Sequence, residues 1–195
     1  MILNKLPLAL VCLRVLLAPV MVALAAYWPE PRAFAICLIV AFLSDYFDGV
    51  VARRLGVATP GLRRLDSFAD TVFCLSALAA VWMLHPTVIQ AVALPLTILF
   101  ALEIGRYILD FFKFHREASY HMWSSKLWGL SLFLAFFMLL VAGQAVPWVT
   151  VAVVLGIVSD VEGLCISLVL PVWRHDVPSV VHAWRIKALL SADNR

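Results

Sequence analysis

Residues 44–70 read SDYFDGVVARRLGVATPGLRRLDSFAD, and the placing of the acids in this stretch decides how the chain has to fold. Asp45, Asp48, Asp66 and Asp70 are four of only 12 acidic residues in the protein. Apolar runs long enough to be helices flank them on both sides. On helices, Asp45 and Asp48 stand three apart and Asp66 and Asp70 four apart, so each pair shares one face. Ordinary salt bridging would put Lys or Arg three or four residues after an acid. Here Asp45 is followed at those positions by Asp48 and Gly49, Asp48 by Val51 and Ala52, and Asp66 by Ala69 and Asp70. Like charges so placed repel by roughly a few tenths of a kcal/mol on an exposed helix, and by more at a membrane boundary. The pattern therefore calls for cations between the carboxylates. No His or Cys occurs within 44–70 to select a softer metal, which points to hard divalent ions with oxygen ligands.

The residues around the acids point the same way. Gly49 and Ala52 follow Asp45 by four and seven positions and continue its face with almost no side chain, so a bulky ligand can approach that backbone. Arg53 then offers a cation suited to phosphate at the end of the helix.

Taken together, Asp45, Asp48, Gly49, Ala52, Arg53, Asp66 and Asp70 resemble the signature of the CDP-alcohol phosphotransferase (CDP-alcohol phosphatidyltransferase) family. That signature is an Asp-x-x-Asp-Gly-x-x-Ala-Arg block, a glycine, and an Asp-x-x-x-Asp pair. Its second glycine falls at Leu62 here, with Gly61 one place early, and Thr59, Pro60 and Gly61 read as a turn. The resemblance implies metal ligation by Asp45, Asp48, Asp66 and Asp70, with two divalent ions, Mg2+ or Mn2+. It implies that Asp70 is the general base for the acceptor hydroxyl, and that Asp48, Gly49, Ala52, Arg53 and Gly61 receive the nucleotide. The subtype it resembles is that of phosphatidylglycerophosphate and phosphatidylinositol-phosphate synthases. Their reaction moves a phosphatidyl group from CDP-diacylglycerol to a small polar alcohol, glycerol 3-phosphate or an inositol type, and releases CMP. The resemblance also implies a homodimer.

Composition places this chemistry in a bilayer. Of 195 residues, 64% are hydrophobic and 14% charged, and the mean hydropathy is +0.99. Soluble domains hold about 45–50% apolar and about 25% charged residues. No polar stretch is long enough to fold as a separate soluble domain, so one membrane domain is expected over 1–195, a catalytic bundle over 1–172 and an amphipathic tail over 173–195. The cysteines, Cys12, Cys37, Cys74 and Cys165, lie scattered in apolar runs and read as packing residues. Nothing in the composition asks for a nucleic-acid partner.

The pattern predicts an all-α integral membrane protein with six transmembrane helices: 6–28, 33–51, 66–84, 87–112, 127–142 and 146–170, with residues 1–12 partly along the interface. With six spans, Lys5, Arg53, Arg54, Arg63, Arg64, Lys113, Arg116, Lys126, Arg174, Arg185, Lys187 and Arg195 all fall on the side of the N-terminus. Only Arg32 falls opposite, while Arg14 and Arg106 lie within spans. The positive-inside rule then makes both termini cytoplasmic and puts the four aspartates at the cytoplasmic edge, most naturally of a bacterial inner membrane.

Other charged residues remain to be placed. Asn4, Arg14 and Pro19 resemble the first-helix pattern of the family, and Arg14, an arginine inside an apolar span, is either a phosphate-binding residue or a structural partner of an acid. Glu103, Arg106 and Asp110 share a face of the fourth span, where Arg106 lines an acceptor pocket or closes an internal ion pair. Asp160 and Glu162 are expected to face inward and pair with an arginine. Lys126 resembles a family lysine associated with substrate phosphate, and Arg116 sits in the polar loop before it. Ser119, Tyr120 and His121 are weaker candidates for a polyol headgroup. Three rival readings stand beside the leading one: a CDP-choline or CDP-ethanolamine aminoalcohol phosphotransferase, a membrane transporter using the acids, and an inactive homologue.

Overall fold

The computed structural model describes residues 6–57, 59–116, 120 and 122–193. Among them the regular structure is helical: α1 (Leu6–Tyr27), α2 (Pro31–Arg54), α3 (Pro60–Leu84), α4 (Pro86–Ala91), α5 (Ala93–Phe114), α6 (Trp123–Ala142), α7 (Trp148–Val169) and α8 (Val180–Asp193). The chain forms two compact units, Met1–Gln90 with Phe136–Ala145, and Ala91–Ala135 with Val146–Arg195.

In the first unit α1 packs on both α2 and α3. Its buried residues are Pro7, Val11, Arg14, Ala18, Met21 and Ala25, spaced alternately by four and three, which is a single stripe down one side of a helix. Arg14 lies in the middle of that stripe, so its side chain has to be met by α2 and α3. Those helices answer with small residues, Ala41, Ser44 and Ala52 on α2 and Ala69, Ala77 and Ala80 on α3. Small side chains let helix backbones approach closely, the usual basis of helix association in lipid. Residues 6–12 continue directly into α1 as one helix.

Both helices that carry the aspartates are longer than the sequence suggests. α2 runs through to Arg54, and Gly56 at φ +67° then turns the chain, a left-handed conformation that glycine adopts without a Cβ clash. The expected turn at Thr59, Pro60 and Gly61 is instead the start of α3. Thr59 is the N-cap, its hydroxyl accepting the Leu62 N–H at 3.2 Å, and Pro60 opens the helix where a missing N–H does no harm. The acid pairs therefore lie within helices rather than at frayed ends.

The expected fourth span, 87–112, is broken into α4 and α5. Pro95 has no N–H to give the carbonyl four residues back, so the helix stops at Ala91 and restarts at Ala93, with Pro95 in the new first turn. By length and composition, five of the described helices can cross a membrane: α1, α2, α3, α6 and α7. α5 is 22 residues long but carries Glu103, Arg106, Asp110 and Lys113, and it is not among the five, where the sequence pattern predicts six spans. The five apolar helices make this an integral membrane protein.

In the second unit α5 and α8 both pack on α7. The inward face of α7 is built from Ala152, Gly156, Ser159, Asp160, Gly163 and Ser167. A Cβ added at Gly163 would come within 2.9 Å of Arg106 Cδ, so the glycine is what lets the arginine cross α7. A cluster of Tyr120, Met122, Ile166, Leu170, Val177 and Ala183 seals the end of this unit beside α8. Gly163→Ala is expected to lower stability by about 1–3 kcal/mol through overpacking against Arg106. A thermal unfolding midpoint unchanged from wild type would show that Arg106 has room to spare.

Candidate active site

The site begins with a charge in the wrong place for a lipid-embedded helix. Arg14 is 2% exposed, and an isolated guanidinium so buried would be strongly unfavourable. α2 and α3 resolve the problem by aiming four carboxylates at it. Arg14 Nη1 donates to Asp45 at 3.1 Å, to Asp66 at 3.2 Å and to Asp70, while Nη2 donates to Asp48. All four sequence-predicted ligands are thus gathered at one point, and Arg14 joins them. Carboxylate oxygens of Asp45, Asp48 and Asp66 lie within 4.8 Å of one another.

The cluster is graded from inside to outside. Asp48 is 5% exposed, whereas Asp66, Asp70 and Asp45 are 34%, 44% and 49% exposed. A ligand arriving from solvent meets the last three first, with Asp48 as the floor. The single guanidinium also leaves the group short of positive charge. Four carboxylates face one cation, so a formal charge of three stays uncompensated, and Arg14 Nε has no hydrogen-bond partner among the described residues. An all-oxygen donor set this rich in charge fits divalent ions of the magnesium and manganese kind, and the seated guanidinium shows that a cation is accommodated there.

The neighbouring motif residues take different positions. A Cβ on Gly49 would stand 3.3 Å from Arg53 Nη1, so the Arg53 head lies back over the bare backbone of Gly49, one turn earlier and next to Asp48. Ala52 is 5% exposed and packs inside the unit. Gly61 lines a groove of about 360 Å3 with Leu8, Val57, Thr59, Leu62 and Leu65, and a Cβ there would meet nothing within 4 Å.

The other candidates belong to the second unit. Arg106 bonds Glu103 at 2.9 Å and faces Asp160 at 3.8 Å, as the internal ion-pair reading expects. Glu162 takes hydrogen bonds from the Ser124 hydroxyl at 2.5 Å and the Val180 N–H at 3.3 Å, tying α7 to α6 and to the start of α8. Lys126 is exposed, its Nζ 4.7 Å from the centre of the Trp123 ring. Arg116, also exposed, lies 5.5 Å from the Trp173 ring and borders a cavity of about 300 Å3 with Tyr107, Ile108, Phe111 and Phe112. Asn4, Ser119 and His121 fall outside the described residues.

Two contributions escaped the sequence reading. Lys113, which reads as a positive-inside anchor, donates to the last carbonyls of α7, Ser167 at 2.7 Å and Leu168 at 3.0 Å, where helices leave acceptors unsatisfied. Ser167 in turn bonds Asp110 at 2.5 Å and Tyr120 at 3.2 Å, and burial pushes the Tyr120 hydroxyl above its ordinary pKa. No local signal in the sequence marks this pairing across more than 50 residues; only the packing of α5 on α7 does.

The helices α1, α2 and α3 thus bring four carboxylates and one guanidinium together within a bundle long and apolar enough to cross a membrane. The family of CDP-alcohol phosphatidyltransferases matches over residues 4–158, and the chain belongs to that family. It is therefore a transferase of substituted phosphate groups in phospholipid synthesis, a family whose reaction moves a phosphatidyl group from a CDP-alcohol to an alcohol. No curated protein and no solved structure matches the chain.

The grading of burial generates an expectation about stability. Asp48→Ala removes the buried partner of Arg14 Nη2, whereas Asp45→Ala removes a half-exposed acid that also repels its neighbours. In the presence of a chelator, the first is expected to cost about 1–3 kcal/mol more than the second. Equal shifts in thermal midpoint would mean that the buried contact contributes nothing special.

Proposed function

We propose that the protein transfers a phosphatidyl group from CDP-diacylglycerol to the hydroxyl of a small polar alcohol, glycerol 3-phosphate or an inositol type, with release of CMP. The observation that carries this reading is the convergence of Asp45, Asp48, Asp66 and Asp70 on one point, three of them open to solvent, on helices embedded in lipid. Asp45, Asp48, Asp66 and Asp70 would hold divalent ions, Mg2+ or Mn2+, which when bound grip the diphosphate and neutralise charge on the departing CMP. Asp70, a half-exposed member, takes the proton from the acceptor hydroxyl. Arg53, folded over Gly49, meets a phosphate of the donor, and the nucleotide is received beside Asp48 and Gly49 once the Arg53 head swings off the glycine. Ala52, packed inside the unit, serves helix packing rather than contact with the nucleotide. Gly61 is assigned to the nucleotide on the strength of the motif.

Basic residues favour an acceptor that itself carries phosphate or many hydroxyls. Lys126 and Arg116 are exposed cations on aromatic supports, and we assign them to acceptor binding, while Arg106 is engaged by Glu103 and Asp160 and is left to the internal ion pair. The same reading takes α5 as a sixth crossing. Its charged groups have partners within the unit, Arg106 in Glu103 and Asp160, Asp110 in the Ser167 hydroxyl, and Lys113 in the end of α7, which offsets part of the cost of desolvating them in lipid. Six crossings then put both termini and the aspartates on the cytoplasmic side. We assign the enzyme to a homodimer in a bacterial inner membrane.

Incubating the purified chain with labelled CDP-diacylglycerol, magnesium and a panel of alcohols should release CMP with glycerol 3-phosphate or an inositol-type acceptor. Release with diacylglycerol and CDP-choline in their place would move the protein to the aminoalcohol branch. Asp70→Asn should lower kcat by about a hundredfold or more while CDP-lipid binding stays within about tenfold of wild type. Wild-type turnover by that variant would remove Asp70 from the proton transfer. Chelation of divalent ions should stop turnover, and persistence of CMP release in excess chelator would rule out a metal-dependent site.

A further inference from the structure

The feature that the proposed reaction leaves unexplained is the guanidinium at its centre. Arg14 comes from the buried stripe of α1, is 2% exposed, and reaches all four aspartates. A guanidinium matches a carboxylate best as a planar fork, two parallel N–H bonds to one partner. Arg14 is used otherwise. Nη1 is shared among Asp45, Asp66 and Asp70, Nη2 serves Asp48, and the buried Nε donates to nothing among the described residues. This is a point charge at the focus of four acids, and an imperfect one, because it leaves a donor unsatisfied and most of the negative charge uncompensated. A permanent structural ion pair would be expected to use its whole fork.

We propose that Arg14 is a displaceable internal counter-ion: it holds the four carboxylates together when no metal is present and yields their oxygens to divalent cations. The inference rests on the metal-binding reading of the site. Arg14 and the cations compete for the same oxygens, so the apparent metal affinity of the wild type is lowered by the fraction of molecules in which the guanidinium is seated. Arg14 is in this sense a positioning residue. It keeps two acid-bearing helices from separating before the metal arrives. The groups that face it are Asp45 and Asp48 from α2 and Asp66 and Asp70 from α3.

The full chain in lipid nanodiscs, titrated with Mn2+ alone and followed by electron paramagnetic resonance, tests this. Arg14→Met should bind Mn2+ about tenfold or more tightly than wild type. Its thermal midpoint should fall below wild type in chelator, and the gap should close when Mn2+ is added. Arg14→Lys, which keeps a charge on a simpler head group, should lie between the two. Mn2+ binding by Arg14→Met equal to or weaker than that of wild type would overturn the proposal while leaving the metal site intact. Failure of Mn2+ to bind wild type and both variants would overturn the metal reading as well. A structure of the wild-type chain with Mn2+ bound is a second test, independent of whether the variants fold. Arg14 released from Asp45 and Asp66 supports the proposal, and Arg14 still bonded to all four acids overturns it.

Discussion

Repulsion among like charges brought to one point is the constraint on which the first unit is built. Asp45 and Asp48 on α2 and Asp66 and Asp70 on α3 repel one another at this spacing, most sharply at the buried Asp48, unless a positive charge stands among them. Arg14 supplies it from α1, a helix whose other buried positions are apolar. Electrostatics and packing therefore act along the same line. The stripe that buries Pro7, Val11, Ala18 and Met21 against α2 and α3 also delivers the guanidinium to the carboxylates. The small residues of α2 and α3 let the three helices approach closely enough for one side chain to reach four partners.

The second unit meets the same difficulty differently. Its charges are met by partners within the unit: Arg106 by Glu103 and Asp160, Lys113 by the carbonyl end of α7, and Asp110 through Ser167 to Tyr120. Gly163 makes the first of these possible by giving Arg106 a path over α7. The contrast between the units is chemical. In the second unit each charged group of α5 finds a partner, although Asp160 Oδ2 has none among the described residues, and in the first three acids remain partly open and negative charge is left over.

Much of this was legible in the amino acids themselves. A run of aspartates with no basic residue at salt-bridging distance, beside Gly49, Ala52 and Arg53, carried both the metal expectation and the family resemblance, and the match over residues 4–158 agrees with the latter. The apolar runs gave most of the helices to within a few residues. The misplacements were local. Thr59 and Pro60, which punctuate turns, also start helices, and here the Leu62 N–H accepted by Thr59 settles the matter. Pro95 broke the fourth run because a missing N–H has its effect four residues upstream, where hydropathy gives no sign of it.

What the sequence determined by itself was the membrane setting, the helical class and the identity of the four acids, because composition, hydrophobic period and residue spacing are properties of the chain alone. What only the tertiary structure decided was which cation the acids share, which of them is buried, and how the charges of α5 are met. These depend on distances between residues 31 to 57 positions apart in the chain, such as Arg14 to Asp45 and Asp110 to Ser167. Helix packing sets such distances, and no local pattern of residue types encodes them.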